Sequence, residues 1–267
     1  MAQAINGLDS ARLKLIRANE HFDAIKAYIA AYRSGKPYDI LMQSDGTEKV
    51  VIFEEPSPII SILAGEIVYQ IRSALDHLVF ELVKSNPSGI VLPTRWTERC
   101  QFPIFLNLPK GVSGTPVPKS YFLSKLPGIS EAAYTFIELL QPYYRGNAFG
   151  FLQILRGLSN IDKHRRLNVT IATVGRHEVV TGKEGQPIRI SVQAGMRDGT
   201  EVESPASSLM PNGIMDVKRS TFVSVVFSEP SAHFPGSYLP VQDGLESLIR
   251  ELGRGVIPVF ESLLKVP

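Results

Sequence analysis

The chain has 267 residues, 44% of them hydrophobic, which is enough to bury a large core and typical of a folded globular protein. Its formal net charge of +2 gives no overall attraction for nucleic acid, so any basic surface must be local. The single cysteine, Cys100, excludes an intrachain disulfide and a cysteine-cluster zinc site. No signal-peptide pattern is visible, and no apolar run approaches the ~20 residues of a membrane span. We therefore expect a cytoplasmic protein that does not cross a membrane.

The first predicted element is a long helix that ends before Gly35. Asn6 is placed to cap its start, with Asp9 three residues further on. Two apolar rows repeat at intervals of seven along it: Leu8, Leu15, Phe22 and Ile29, and beside them Ala11, Ala18, Ile25 and Tyr32. Such a seam requires a partner helix, in the same chain or across a dimer, and the pattern favours a bundle within the chain.

The next residues, 38–55, change to the period of a β-hairpin with Asp45-Gly46 at its turn. A second helix is predicted from about Ile59 to Val83. Its apolar stripe, centred on Ile71, comprises Ile67, Ile71, Leu75, Leu78 and Leu82. A loop rich in proline and glycine follows over residues 86–128 and contains one short extended piece, Phe102-Pro-Ile-Phe105.

Two further helices are predicted at residues 130–140, capped by Ser130, and at about 149–167. β-branched, alternating segments then predict antiparallel strands at 168–174, 178–180, 188–192 and 222–227. A final helix covers about 245–264, with a kink at Pro258. The fold class is α+β. We expect a bundle of about five helices with an inserted hairpin (1–167), followed by an antiparallel region and a helix that packs on the bundle (168–267), in one compact unit.

The first cluster of polar residues, Arg72 to His77, interrupts the second helix. Arg72 and Asp76 are four residues apart, as are His77 and Glu81. Two ordinary surface ion pairs, each stabilising the helix by a few tenths of a kcal/mol, are therefore one interpretation.

A second interpretation comes from the spacing of Arg72 and His77. Four residues separate them on a helix, which resembles the Arg-X4–6-His motif of the HEPN superfamily of helical-bundle proteins. Many members are metal-independent endoribonucleases, often toxins or antiviral effectors. The resemblance implies that His77 is a general acid or base on the 2′-hydroxyl or the leaving oxygen, and that Arg72 stabilises the phosphorane. Because the two residues lie about 140° apart around a helix, we expect the site to be shared between two copies in a homodimer.

The second cluster, Asn160 to Arg166, ends the helix that precedes the strands. Asp162 and Arg165 continue its apolar stripe, so the core-facing side is expected to turn ionic there. One interpretation is a helix end whose basic residues complement the helix dipole. The other is a polar floor where this helix meets the first cluster, so that one cavity collects His77, His164, Asp76 and Asp162.

Four segments together resemble a widespread group of uncharacterised bacterial proteins: Leu75-Asp-His-Leu78, Phe102-Pro-Ile-Phe105, Leu140-Gln-Pro-Tyr143 and Asn160-Ile-Asp-Lys-His-Arg165. The resemblance spans roughly residues 60–167. It implies that both clusters belong to one module, but it brings no activity with it.

The favoured hypothesis is a HEPN-like ribonuclease or RNA-binding effector without metal or cofactor. Its residues fall into three groups: catalytic Arg72, His77 and His164; supporting Asp76, Asn160 and Asp162; and phosphate-contacting Lys163, Arg165 and Arg166. The first alternative is a non-catalytic ligand-binding or interaction protein in which both clusters are structural ion-pair networks. The second is a metal-dependent hydrolase that uses His77, His164, Asp76 and Asp162.

Overall fold

The computed structural model describes residues 6–44, 48–85, 87–110, 118–145, 150–164, 166–181, 187–191, 200–210, 213–228 and 238–265. Helices combine with two antiparallel sheets, which confirms the predicted α+β class. The helices are α1 (Gly7–Ser34), α2 (Pro58–Ser85), α3 (Trp96–Arg99), α4 (Pro118–Lys125), α5 (Glu131–Leu139), α6 (Pro142–Arg145), α7 (Phe151–His164), α8 (Val241–Arg250) and α9 (Ile257–Lys265). The strands are β1 (Tyr38–Met42), β2 (Glu48–Ile52), β3 (Val169–Thr181), β4 (Pro187–Ser191), β5 (Thr200–Met210) and β6 (Gly213–Phe227).

Helix α1 begins and ends where its sequence predicts. The side chain of Asn6 accepts a hydrogen bond from the backbone N–H of Asp9 at 2.8 Å, which satisfies one of the free donors at the helix start. Most of the seam is buried within the chain, namely Ala11, Ala18, Phe22, Ile25 and Ile29. The expected partner of this helix is thus in the same chain.

Helix α2 carries the predicted core stripe. All five of its members, Ile67, Ile71, Leu75, Leu78 and Leu82, are buried. The opposite side of α2 includes Tyr69, whose exposed fraction is 63%. This amphipathic division places Arg72, Ser73 and Asp76 between core and solvent.

The predicted hairpin is present as β1 and β2. The strands pair antiparallel from Tyr38 opposite Ile52 to Met42 opposite Glu48. The predicted Asp45-Gly46 turn lies outside the described residues.

The second sheet has the order β4-β3-β6-β5 and is larger than predicted. Strand β3 runs unbroken to Thr181, because a bulge at Val174 shifts the register between Thr173 and Gly175 instead of ending the strand. Strand β5 and the first half of β6 are not predicted by their sequence. Pro205 is tolerated in β5 because that strand lies at the edge of the sheet.

The C-terminal helix starts earlier than predicted and is irregular before, not at, Pro258. A π-helical turn over Glu251–Val256 separates α8 from α9, and the N–H of Ile257 donates to the carbonyl of Leu252, five residues back. Pro258 lacks an N–H and its ring crowds the carbonyl four residues back, which explains why the helix changes its hydrogen-bond register there.

The residues group into two compact units. The first comprises Met1–Asp23, Leu63–Arg166 and Leu245–Pro267, and the second comprises Ala24–Ile62 and Leu167–Gly244. The boundary at Arg166 coincides with the expected change from helices to strands. The hairpin, however, groups with the strands, and most of the last helix groups with the other helices. Among the described residues, no helix combines the length and apolarity that crossing a membrane requires.

Candidate functional site

Arg72 and Asp76 hold the backbone of one residue, Phe102. The Nη2 group of Arg72 donates to the Phe102 carbonyl at 2.7 Å and lies 3.3 Å from Oδ1 of Asp76. The same Asp76 oxygen accepts the Phe102 N–H at 2.8 Å. Phe102 is buried but belongs to neither sheet, so this pair satisfies backbone groups that would otherwise be buried without partners. The predicted ion pair is therefore present and also anchors the long loop.

A buried glutamine holds the same loop from its other side. Oε1 of Gln141 accepts the N–H of Phe105 at 2.9 Å, and its Nε2 donates to the carbonyls of Pro103 at 3.1 Å and Ile137 at 3.0 Å. Gln141 is fully buried, so these bonds replace all of its contact with water. Three of the four segments behind the bacterial resemblance are thus joined by direct hydrogen bonds.

His77 faces α1 and does not pair with Glu81 as predicted. Its Nδ1 shares a hydrogen bond of 2.8 Å with Oγ of Ser10, while Glu81 lies 3.5 Å from Lys84. Partial burial, together with the charge of Lys14, lowers the pKa of His77, although Asp76 and Glu81 act in the opposite direction. The lowered pKa favours the neutral imidazole at pH 7, the form that is able to accept a proton.

The pKa of the Asp76 carboxyl group shifts in the opposite direction. Burial raises its pKa and outweighs the lowering effects of Arg72, the Phe102 N–H, His77 and Lys163. The effect of Lys163 connects the two clusters electrostatically.

Asp162 in the second cluster lies against α2. A β-carbon at Gly65 would collide with its carboxylate, 3.0 Å from Cγ and 3.3 Å from Oδ2. Partial burial of the carboxylate raises the pKa of Asp162, although the residue as a whole is exposed. Gly65 therefore provides the space into which Asp162 fits.

The expectation that the core face of α7 turns ionic is wrong. The buried residues of α7 end at Ser159, and Asp162, although it contacts Gly65 of α2, is exposed as a residue, so its charge is not part of the buried core. The other described members of the cluster are also exposed: Asn160, Lys163, His164 and Arg166. Arg165 lies outside the described residues.

The cavity expected between the two clusters stays a prediction for the residues that the structure describes. No hydrogen bond or ion pair there joins a side chain of the first cluster to one of the second. A groove of about 430 Å³ lies beside the start of α1 and the end of α9, lined by Asn6, Leu8, Glu81, Lys84, Ser85, Glu261, Leu264 and Lys265. Within the described ranges, no three His, Cys, Asp or Glu side chains are grouped as metal ligands, so His77, His164, Asp76 and Asp162 do not form the metal site of the hydrolase alternative.

The structure does collect a different set of residues on the exposed side of α2. Tyr69 lies near its middle, with Nζ of Lys14 located 5.8 Å from the ring centroid. Arg72 and His77 flank this strip, about 60° and 80° from Tyr69 in opposite directions around the helix. Sequence periodicity did not identify Ser10, Tyr69 or Gln141 as partners, because pairing across distant segments leaves no periodic pattern.

No protein-family model, curated protein sequence or solved structure matches this chain.

Proposed function

We propose that this chain is a HEPN-like protein that binds and cleaves RNA through the exposed side of α2. The observation that carries the proposal is that Arg72 and His77 border a solvent-facing strip centred on Tyr69. Each is also fixed in place by a different segment, Arg72 by the Phe102 loop and His77 by Ser10. Held side chains lose little entropy when a ligand binds, which suits them to a binding or catalytic surface.

His77 is the acid–base residue of this proposal. Its neutral imidazole takes the proton from a ribose 2′-hydroxyl, whose oxygen attacks the adjacent phosphorus. The bond from phosphorus to the 5′-oxygen breaks, and that oxygen leaves with a proton delivered by an imidazolium or by water. The products are a 2′,3′-cyclic phosphate and a 5′-hydroxyl, and no metal is required.

The cations around Tyr69 bind the RNA backbone. Arg72 uses Nη2 for both of its polar contacts within the described part of the chain, so the proposal assigns its other N–H groups to a phosphate. Lys14 lies over one side of Tyr69, and Lys163 acts on Asp76 from α7. An exposed tyrosine between cations is suited to stacking on a base.

The proposed site comprises two copies of the chain. Arg72 and His77 point toward different neighbours, Phe102 and Ser10, so a single copy does not bring them to one phosphate. A symmetric dimer that juxtaposes the α2 faces places Arg72 of one protomer near His77 of the other.

A second function is favoured by one specific observation. Both members of the Arg72–Asp76 pair form hydrogen bonds with the backbone of Phe102. We call these three residues the Phe102 joint, because they attach the long loop to α2. In this case the chain is a non-catalytic interaction protein, and the polar clusters hold its helices and long loop together.

The two functions are separated by incubating 5′-labelled structured RNA with the purified protein in excess EDTA. We expect cleavage that His77→Ala reduces by about 100-fold or more. Asp76→Asn is the matched control for Arg72→Ala, because it perturbs the Phe102 joint but keeps the guanidinium. The proposal predicts a larger loss of cleavage in Arg72→Ala than in Asp76→Asn. If wild type neither cleaves nor binds RNA, and both joint variants lower the melting temperature alike, the interaction protein is the correct description.

A further inference from the structure

The start of α1 is built to approach α2 at His77. Gly7 has no β-carbon, and one placed there would lie 2.5 Å from the carbonyl oxygen of His77 and overlap Glu81. The Asn6 cap sets the helix start, so that Ser10 follows one turn after Gly7 and its Oγ reaches Nδ1 of His77 at 2.8 Å. Cap, glycine and serine therefore act together to bring one hydroxyl group to one ring nitrogen.

We infer that Ser10 is a positioning residue that occupies Nδ1 of His77 and leaves Nε2 as the only ring nitrogen that exchanges a proton with a substrate. A neutral imidazole has one N–H and one bare nitrogen, and the bond made by one nitrogen decides the state of the other. The Ser10 hydroxyl can pair with Nδ1 in either tautomer. The proposed base role requires a bare Nε2, so we assign the ring proton to Nδ1, which then donates to Oγ of Ser10. The role of Ser10 in catalysis rests on the proposed function, but the tautomer is a property of the protein alone.

Charged groups act on the His77 ring from both α1 and α2. Lys14 faces it from α1, while Asp76 and Glu81 lie on α2 itself. These charges act on how readily the imidazole becomes protonated. Among the described residues, Ser10 is the neighbour that forms a hydrogen bond with a ring nitrogen, so its loss removes the contact assigned to the proton on Nδ1.

The test is the ¹⁵N NMR spectrum of the imidazoles in the whole protein at a pH where His77 is neutral. The His77 signals are assigned with His77→Gln. We expect one dominant tautomer in wild type, a mixture in Ser10→Ala, and recovery in Ser10→Thr, which restores the hydroxyl. Gly7→Ala, which keeps both Ser10 and His77 but moves the helices apart, should change the spectrum in the same direction as Ser10→Ala.

A wild-type His77 with both tautomers equally populated overturns the inference, even if every variant fails to fold. Unchanged nitrogen shifts in a folded Ser10→Ala overturn it as well. A positive spectrum with no RNA cleavage leaves the Ser10 inference in place and rejects the proposed function. If RNA is cleaved, the acid limb of the pH–rate profile should move in Ser10→Ala and return in Ser10→Thr, which a merely structural serine would not cause.

Discussion

Gly65→Ala tests the packing of Asp162 on α2. In a helix interior, alanine is more favourable than glycine by about 1 kcal/mol. At this position, however, the new β-carbon overlaps the Asp162 carboxylate, and overpacking of this kind costs about 1–3 kcal/mol. The overlapping atoms end an exposed side chain that can turn aside, so the steric cost stays at the low end of this range and offsets the gain from alanine. We expect Gly65→Ala to change the free energy of unfolding by less than about 1 kcal/mol.

The assay is urea denaturation of this variant beside Gly157→Ala, a matched control. A β-carbon at Gly157 in α7 meets no atom within 4 Å, so that substitution should stabilise the protein by up to about 1 kcal/mol. In an Asp162→Ala background, Gly65→Ala should stabilise the protein as Gly157→Ala does, because the smaller side chain at position 162 leaves room for the added methyl group. Stabilisation by Gly65→Ala equal to that by Gly157→Ala would refute the contact between Gly65 and Asp162.

Three further predictions concern the Phe102 joint and the nearby thiol of Cys100. Arg72→Ala should lower the free energy of unfolding by about 1.5–3 kcal/mol, since it removes a charged hydrogen bond to a buried carbonyl. Arg95→Ala, in an exposed pair with Glu98, should change it by less than about 1 kcal/mol. Equal effects in urea denaturation would contradict the contact between Arg72 and Phe102. The raised pKa of Asp76 means that the folded state binds the carboxyl proton more tightly than the unfolded chain does. The stability that this proton contributes is therefore present at low pH and is lost as pH rises from about 3.9 through the raised pKa. Asp76→Asn should flatten the pH dependence of the free energy of unfolding in urea over that window, and an unchanged pH profile would disprove this. Burial, with Asp76 nearby, raises the pKa of the Cys100 thiol to about 12. A disulfide reagent at pH 8 should therefore label Cys100 only when the protein unfolds. Rapid labelling of the native protein would show that Cys100 is not buried.

The parts of the fold that local sequence determines were predicted correctly. The Asn6 cap of α1 and the Ser130 cap of α5, which accepts from the N–H of Ala133 at 3.2 Å, depend on residues three apart. The stripe of α2 follows from the helical period alone. Strand β5 was not predicted, because its stability comes from its pairing with β6 and little from its own residues.

In the candidate site, too, contacts between residues close in sequence were predictable, and contacts between distant segments were not. The Arg72–Asp76 pair follows from a spacing of four residues, but the bond from Arg72 to Phe102 spans 30 residues and the one from Ser10 to His77 spans 67. An angular projection also places Asp162 on the core face of α7 without indicating where along the helix the core ends. The sequence therefore identified the polar residues of the first cluster but not the segments they face.

The most direct test of the proposed RNA site is a complementation experiment with two inactive variants. Arg72→Ala and His77→Ala are each purified, then unfolded, mixed and refolded together, and assayed on RNA in EDTA. Random pairing makes half of the dimers mixed, and each mixed dimer holds one site with an intact Arg72 from one protomer and an intact His77 from the other, so we expect about a quarter of the wild-type rate. Cleavage by wild type with no recovery in the mixture would contradict a site shared between protomers, and no cleavage by wild type would contradict the proposed activity itself.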